Sequence, residues 1–218
     1  MNKMSDKRDT PLWRRNEKID KKTKILILGS FTSRGGYDRY FYGSDKNNFW
    51  YLLDYALFSK NMDINISTML NTSENRKIVK EEIAEKGTLV KVKNELCRHP
   101  NDENREKLHA LLLENNIDIT DIYRRVEMRT TNTDNDSDII LPSHSTYTKY
   151  NIDVIEEALK NRDIKIILTT SKYVLDHFNE MTGHKYKAQC LPAPTSRGKK
   201  GETLFYKLSE WKKAFNNN

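Results

Sequence analysis

Short apolar runs that alternate with helical patterns constrain the fold of this chain more than any other feature. Two of them, at Lys24–Ser30 and Ile164–Thr170, are rich in β-branched residues, and a weaker one lies at Tyr186–Leu191. A further segment, Ile117–Tyr123, alternates between apolar and polar residues, which is also typical of a strand. Runs of this length and composition are typical of buried strands. Strands that alternate with helices along the chain form parallel sheets covered by helices. The sequence therefore predicts a three-layer α/β fold with a central, mostly parallel, four-stranded sheet flanked by helices.

The segments between these runs complete the predicted organisation. Helical spacing of apolar residues marks Asn48–Ser59, Asn151–Lys160 and Lys172–Phe178, and a last amphipathic helix follows the fourth strand. Residues 71–116 are charged and helical in pattern without strand signals, so we expect a helical insertion. Residues 1–23 are polar, and we expect a basic, partly ordered arm. A length of 218 residues favours a single domain over residues 1–218.

Positive charge is concentrated at the two ends of the chain. Residues 1–24 hold nine Lys or Arg against four Asp or Glu, and residues 183–218 hold eight against two. Such basic segments favour a polyanion partner, because neutralisation of phosphates dominates sequence-independent binding to nucleic acid. A Lys-rich surface of the kind encoded by AT-biased genomes explains the same charge equally well.

Cysteine content and hydropathy exclude several classes of protein. Cys97 and Cys190 are the two cysteines, too few for a disulfide framework or a four-cysteine metal site. No apolar run reaches the ~18 residues of a membrane span, and the first residues lack the apolar core of a signal peptide. We expect a cytoplasmic monomer that does not bind membranes and uses no metal and no cofactor.

A loop of small residues follows the first predicted strand at Ser30–Gly36. Such a loop lets backbone N–H groups approach an anion or the edge of a base. It lacks the Gly-Lys-Ser/Thr of a P-loop and the three spaced glycines of a dinucleotide-binding turn. An ordinary strand-to-loop turn accounts for the same residues.

Six short segments, in their order along the chain, carry a family resemblance. They are G-S-F-T-S at 29–33, F-Y-G-S-D-K-N-N-F-W at 41–50, I-D-I-T-D-I at 117–122, D-S-D-I at 136–139, L-P-A-P-T-S-R at 191–197 and L-S-E-W at 208–211. Together they resemble the uracil-DNA glycosylase superfamily, most closely its deoxyinosine and mismatch-specific groups. The likeness covers residues 24–60 and 117–215 and leaves the helical insertion unmatched.

The resemblance implies a monofunctional DNA glycosylase that removes a damaged or modified base without a cofactor. Such an enzyme flips the target nucleotide out of the duplex, because the glycosidic bond is unreachable within the stack. The protein then has to hold a water molecule beneath the sugar carbon and place hydrogen-bond donors around the departing base.

The catalytic candidates lie in the segment at 41–50. Asn47 matches the asparagine that positions the water in the deoxyinosine group, although an asparagine just before a helix is also a favoured N-cap. Asp45 is a second candidate to orient or deprotonate the water, with a solvated loop carboxylate as the alternative. Tyr42 is a candidate to stack on the flipped base, or else a partly buried loop aromatic. Trp50 falls on an apolar helical face and is assigned to the core.

The base pocket is predicted to involve Ser30, Phe31, Thr32 and Thr170 together with Tyr42. Two of these positions, and one in the segment at 191–197, depart from the family pattern. Thr32 replaces a proline, Thr170-Ser171 stands where relatives have Asn-Gly, and Ala193 replaces a serine. Loss of an amide that pairs with the base changes which base is bound, so the resemblance implies the reaction more firmly than the substrate.

The segment at 191–197 matches a turn that grips DNA phosphates and inserts a wedge into the duplex. Hydroxyl and backbone groups of this kind bind phosphate oxygens. Arg197 stands where a related group carries a wedge arginine, although a surface arginine in a basic tail is the simpler interpretation. The predicted DNA-binding residues are Ala193, Thr195, Ser196, Arg197, Lys199 and Lys200.

Three functions remain open at this point. The first is repair, by excision of hypoxanthine or uracil. The second is antiviral excision of bulky modified bases from phage DNA, which small pocket residues would admit. The third is a non-catalytic DNA-binding module of the same fold. The presence of Asn47 within a matching segment at 41–50 argues against this function.

Overall fold

The structure is a computed structural model that describes residues 5–9, 18–31, 41–42, 47–129, 139–140, 146–161, 163–195 and 202–216. The chain divides into two compact units. The first contains Met1–Phe41 and Leu112–Cys190, and the second contains Tyr42–Leu111 and Leu191–Asn218.

The described elements alternate between strands and helices. In chain order they are β1 (Ser5–Asp9), β2 (Ile25–Gly29), α1 (Phe49–Phe58), a 3-10 turn (Ser59–Asn61), α2 (Ser73–Lys86), α3 (Thr88–Arg98), α4 (Asp102–Glu114), β3 (Ile117–Asp121), β4 (Tyr123–Arg129), β5 (Ile139–Ile140), β6 (Lys149–Tyr150), α5 (Ile152–Asn161), β7 (Ile166–Thr169), α6 (Lys172–Thr182), β8 (Gln189–Cys190) and α7 (Leu204–Asn216).

The first unit is built on a parallel sheet with the strand order β3-β2-β7-β8. All three pairings are parallel, and Ile27 at the middle of β2 lies opposite Ile119 and Leu168. The central strands β2 and β7 are buried because they are apolar on both faces, as is usual in parallel sheets. The predicted α/β class and the predicted four-stranded sheet are confirmed.

Two helices cover one face of this sheet. Leu26 and Leu28 alternate along β2 and therefore point to the same face. They join one apolar cluster with Ile155 of α5 and Phe178 of α6. Helix α6 is capped at both ends. At its start the Ser171 hydroxyl accepts the backbone N–H of Val174, and at its end Gly183 adopts a positive φ of 59°.

A second, antiparallel sheet in the first unit was not predicted. It has the order β1-β4-β5, and β6 pairs with β4. Residues 5–9, assigned from the sequence to an arm, form a strand that pairs with β4 from Ser5 opposite Arg129 to Asp9 opposite Arg125. This strand was not predicted because Ser-Asp-Lys-Arg-Asp has no apolar residue. Backbone hydrogen bonds and the Arg125–Asp9 ion pair, 2.7 Å between Nε and Oδ1, hold a strand that hydropathy does not reveal.

The second unit is helical. Helix α1 packs against α7, where the rings of Phe49 and Trp211 meet edge to face with centroids 5.4 Å apart. It also packs against α2 and α3. The range predicted as a helical insertion, residues 71–116, contains α2, α3 and α4.

Asp54 joins α1 to the start of α3. The carboxylate of this fully buried residue accepts the backbone N–H groups of Leu89 at 3.1 Å and Val90 at 2.7 Å. It thereby supplies the cap that Gly87, at the N-cap position of α3, cannot provide. A Cβ at Gly87 would overlap the Asp54 carboxylate and the Ile83 carbonyl, so only glycine fits beside this contact.

We expect Asp54 to make stability depend on pH. Burial raises the pKa of its carboxyl from 3.8 to about 6, against the opposing effect of the backbone hydrogen bonds. Between these two values the unfolded chain loses the proton that the folded chain keeps, so the stability due to Asp54 is complete below pH 4 and falls as the pH rises. Asparagine at this position has the same shape and does not titrate. Urea unfolding gives the free energy of unfolding of the wild type and of Asp54→Asn at each pH. The value for the wild type minus the value for the variant should fall by up to about 3 kcal/mol between pH 4 and 7. A constant or rising difference contradicts the assignment.

Candidate active site

The two segments that carry the predicted catalytic and phosphate-binding residues meet in the second unit. Asn47 and Thr195 form an antiparallel bridge outside the named strands. The backbone N–H of Asn48 donates to the carbonyl of Pro194 at 2.8 Å. The start of α1 and the turn that precedes α7 are therefore fixed to each other by their backbones.

The side chain of Asn47 caps the first turn of α1. Its Oδ1 accepts the backbone N–H of Phe49 at 2.9 Å, whereas the side chain of Asn48, at the N-cap position, makes no capping bond. Capping and water positioning do not exclude each other, because an amide oxygen has two acceptor lone pairs and one of them suffices for Phe49. The capping bond also fixes the orientation of the amide.

Tyr42 is held by an aromatic stack. Its ring lies on the ring of Phe49 with a centroid distance of 4.1 Å and an interplanar angle of 13°. The backbone of Tyr42 has a φ of 53°, which is uncommon for a residue with a bulky side chain. Tyr42 is half-buried. Its burial fits the interpretation of this residue as a partly buried loop aromatic. Stacking on a base stays a prediction.

Two side chains of α7 anchor the turn at 191–195. The buried Lys207 donates from Nζ to the carbonyls of Ala193 at 2.7 Å and Thr195 at 2.9 Å. Trp211 donates from Nε1 to the carbonyl of Pro192 at 3.1 Å. The side chain of Lys207 is 3% exposed, and burial lowers its pKa, while Glu202, 4.0 Å away, acts in the opposite direction. The carbonyl groups of Pro192, Ala193 and Thr195 are thus held by one helix.

Lys207 was not identified from the sequence. The available signal was its position, because it lies on the same helical stripe as Leu204, Leu208 and Trp211. A lysine on a buried stripe needs acceptors for its ammonium group, and here the turn at 191–195 provides them.

The predicted DNA-binding and catalytic residues divide into described and undescribed positions. Thr195 is exposed and Ala193 is half-buried beside it. Asp45, Thr32, Ser196, Arg197, Lys199 and Lys200 lie outside the described residues.

The predicted base-binding residues of the first unit lie at neighbouring strand ends. Ser30 follows β2 and Thr170 follows β7, the strand beside it. Thr170 is buried, and both its backbone N–H and its hydroxyl donate to the carbonyl of Leu28, at 3.1 and 3.2 Å. Phe31 packs against the apolar cluster of the sheet. The structure therefore brings Ser30 and Thr170 to the same edge, where α/β proteins bind ligands.

A cluster of tyrosines and a histidine in the first unit was also missed. The hydroxyls of Tyr123 and Tyr173 are 3.0 Å apart, and the Tyr150 hydroxyl is 3.0 Å from Nδ1 of His177. Burial raises the pKa of Tyr123. Tyr173 and His177 are one turn apart on α6, whereas Tyr123 and Tyr150 come from other parts of the chain and are brought to them by folding.

Within the described ranges, no helix has the length and apolar character needed to cross a bilayer. In the same part of the chain, no three His, Cys, Asp or Glu side chains are grouped as metal ligands.

No protein-family model matches the sequence, and no curated protein matches it. Among solved structures, the solution NMR structure of a "putative Uracil DNA glycosylase" from Methanosarcina acetivorans is similar, with a TM-score of 0.52. The chain shares that fold. The alignment covers 91% of this chain and 92% of the other, with 18% sequence identity. An identity this low concerns the glycosylase fold alone, so the roles of individual residues depend on their own chemistry.

Proposed function

We propose that this protein is a DNA glycosylase that hydrolyses the N-glycosidic bond of a damaged or modified base. The observation that carries the proposal is the backbone pairing of Asn47 with Thr195. It joins an amide suited to orient water to a polar turn suited to bind phosphate. The glycosylase fold of the chain supports the same reaction class.

In the proposed mechanism the chain binds DNA and accepts a flipped nucleotide. The glycosidic C–N bond breaks, its electron pair leaves with the base, and positive charge develops on the sugar. A water oxygen then bonds to the anomeric carbon, and its proton leaves to solvent or to the base. Oδ1 of Asn47, already oriented by Phe49 N–H, accepts a hydrogen bond from that water. Asp45 is the second candidate for this step. Orientation of this kind contributes because it replaces an unfavourable encounter with a fixed geometry.

DNA is proposed to bind along the turn that α7 anchors. The Thr195 and Ser196 hydroxyls are suited to phosphate oxygens, and Lys199 and Lys200 add positive charge. Arg197 is proposed to fill the space that the flipped nucleotide leaves.

In the first unit, the base pocket is proposed to include Ser30, Phe31 and Thr32, with Thr170 as the residue that decides the choice of base. The Thr170 hydroxyl donates to the Leu28 carbonyl, and a threonine has no amide group to pair with a base. An asparagine offers a donor and an acceptor side by side, which matches the edge of uracil. One of these two contacts is missing here.

We therefore expect uracil to be a poor substrate. An unmade buried hydrogen bond costs ~1–3 kcal/mol, which corresponds to a rate roughly 10- to 100-fold below that of the best base. Duplex and single-stranded oligonucleotides that carry uracil, hypoxanthine or a bulky modified cytosine are incubated with the protein, and abasic sites are detected by alkaline cleavage. Bulky bases belong in this set because the threonine at position 170 is smaller than the asparagine that the family resemblance implies there.

The same assay tests the reaction class. Excision should persist in EDTA, since the sequence has no group of residues with metal-ligand spacing. Absence of abasic sites with every base would favour the non-catalytic DNA-binding module. Faster excision of uracil than of all other bases would overturn the argument from Thr170.

A further inference from the structure

The second unit contains a groove that the proposed mechanism does not use. Its volume is about 580 Å³, and it is lined by α1, α2, the start of α7 and Thr195. The basic side chains that line it are Arg76, Lys77, Lys80 and Lys207. Helix α2 belongs to residues 71–116, the part of the chain outside the family resemblance.

Two of these cations have no ion-pair partner among the described residues. Lys77 lies 3.7 Å from Glu81, and the buried Lys207 is engaged by backbone carbonyls. Within the described residues, neither Arg76 nor Lys80 makes an ion pair. Arg76 reaches the side-chain oxygen of Asn71 at 3.4 Å, and the Lys80 ammonium lies 5.4 Å from the centre of the Tyr51 ring.

Arg76 and Lys80 are one helical turn apart, so they lie on the same face of α2. Both are half-buried. Burial lowers the pKa of Lys80, and the neighbouring charge of Arg76 lowers it further. Two like charges that are partly removed from water are unfavourable alone, and an anion between them offsets this cost.

Hydroxyl groups lie beside these cations. The groove is also lined by Ser73, Thr203 and Thr195, whose hydroxyls can donate to phosphate oxygens. Two carboxylates line it as well, and each lies near one of the other lysines: Glu81 near Lys77 at 3.7 Å and Glu202 near Lys207 at 4.0 Å. Thr195 is at the same time part of the turn proposed to grip the DNA. The groove and that turn therefore form one continuous polar surface within the second unit.

We infer that this groove binds backbone phosphates of the DNA strand beside the target nucleotide, through Arg76 and Lys80. The inference rests on the proposed function and extends it, because the helical insertion then contacts the DNA and lengthens the stretch of backbone that the protein covers. A duplex backbone suits the groove better than a free anion does, since the two cations and three hydroxyls are spread over an open surface.

The test compares two double variants that each lose one arginine and one lysine. Arg76→Gln/Lys80→Gln removes the groove cations, and Arg98→Gln/Lys107→Gln removes two exposed cations of α3 and α4 that do not line the groove. Both keep long, helix-compatible side chains and change the net charge equally. Binding is measured to a duplex with a tetrahydrofuran abasic-site analogue, which cannot be cleaved.

For the groove variant we expect a Kd at least roughly 10-fold above that of the wild type, and a slope of log K against log salt that is smaller by about 1 to 2. The control variant should bind within about threefold of the wild type at physiological salt. Equal losses in the two variants would show a nonspecific charge effect and overturn the inference.

Single methylphosphonate linkages, which are neutral, locate the contact. At one or two positions beside the abasic site such a linkage should weaken the wild type but leave the groove variant unchanged. Identical losses in both proteins at every position would contradict the assignment. Because this DNA is not cleaved, the groove can fail while base excision is found, and base excision can fail while the groove binds as expected.

Discussion

Replacing Asn47 with alanine is expected to lower the single-turnover rate of base excision by about 100-fold or more. Affinity for abasic-site DNA should stay within a few-fold of the wild type. Asn47 is proposed to act on the attacking water, and the binding of abasic-site DNA does not involve that water. The rate is measured with the best base of the excision assay, at saturating protein.

The alanine variant also removes a helix cap, since Asn47 Oδ1 accepts Phe49 N–H. Loss of such a cap costs about 1 kcal/mol of stability. Asn47→Ser separates the two roles, because a serine keeps an acceptor for the helix N-terminus but does not present an amide to the water. We expect Asn47→Ser to melt close to the wild type and to remain as inactive as Asn47→Ala. A serine variant that recovers both the melting temperature and the rate would mean that Asn47 is mainly a cap.

The parallel sheet could be predicted because its central strands, β2 and β7, are continuous apolar runs. Leu26, Ile27 and Leu28 are all buried, so burial on both faces leaves a plain record in the sequence. The antiparallel sheet leaves no such record. Strand β1 consists of polar residues and depends on its backbone pairing with β4, which is a contact between distant parts of the chain.

The candidate site, like the fold, could be predicted only in part from the sequence. Asn47 and Thr195 were identified as separate segments, each through its family likeness. Their pairing, and the carbonyl contacts of Lys207, depend on tertiary structure and have no local pattern. The groove beside Thr195 could not be predicted for the same reason, because its cations come from α2 and α7 and its hydroxyls from α2, from Thr195 and from the residue that precedes α7.

The second large effect is expected at Lys207, whose ammonium holds two carbonyls of the turn that contains Thr195. Lys207→Met keeps the length and apolar stem of the side chain but removes the donor. Two carbonyls then lose their charged donor, and at ~1–3 kcal/mol each the loss of stability is roughly 2–6 kcal/mol. Urea unfolding measures it.

Lys213→Met is the matched control, since Lys213 lies on the same helix with a side chain that is 63% exposed. Its stability should change by less than about 0.5 kcal/mol. Lys207→Met should also bind abasic-site DNA more weakly at a temperature where it is fully folded, because its turn no longer presents Thr195 in a fixed position. A variant that is as stable as Lys213→Met would show that the ammonium group is replaceable by packing alone. A destabilised variant that nevertheless binds DNA like the wild type would separate the anchor on α7 from the phosphate contacts and assign Lys207 to folding only.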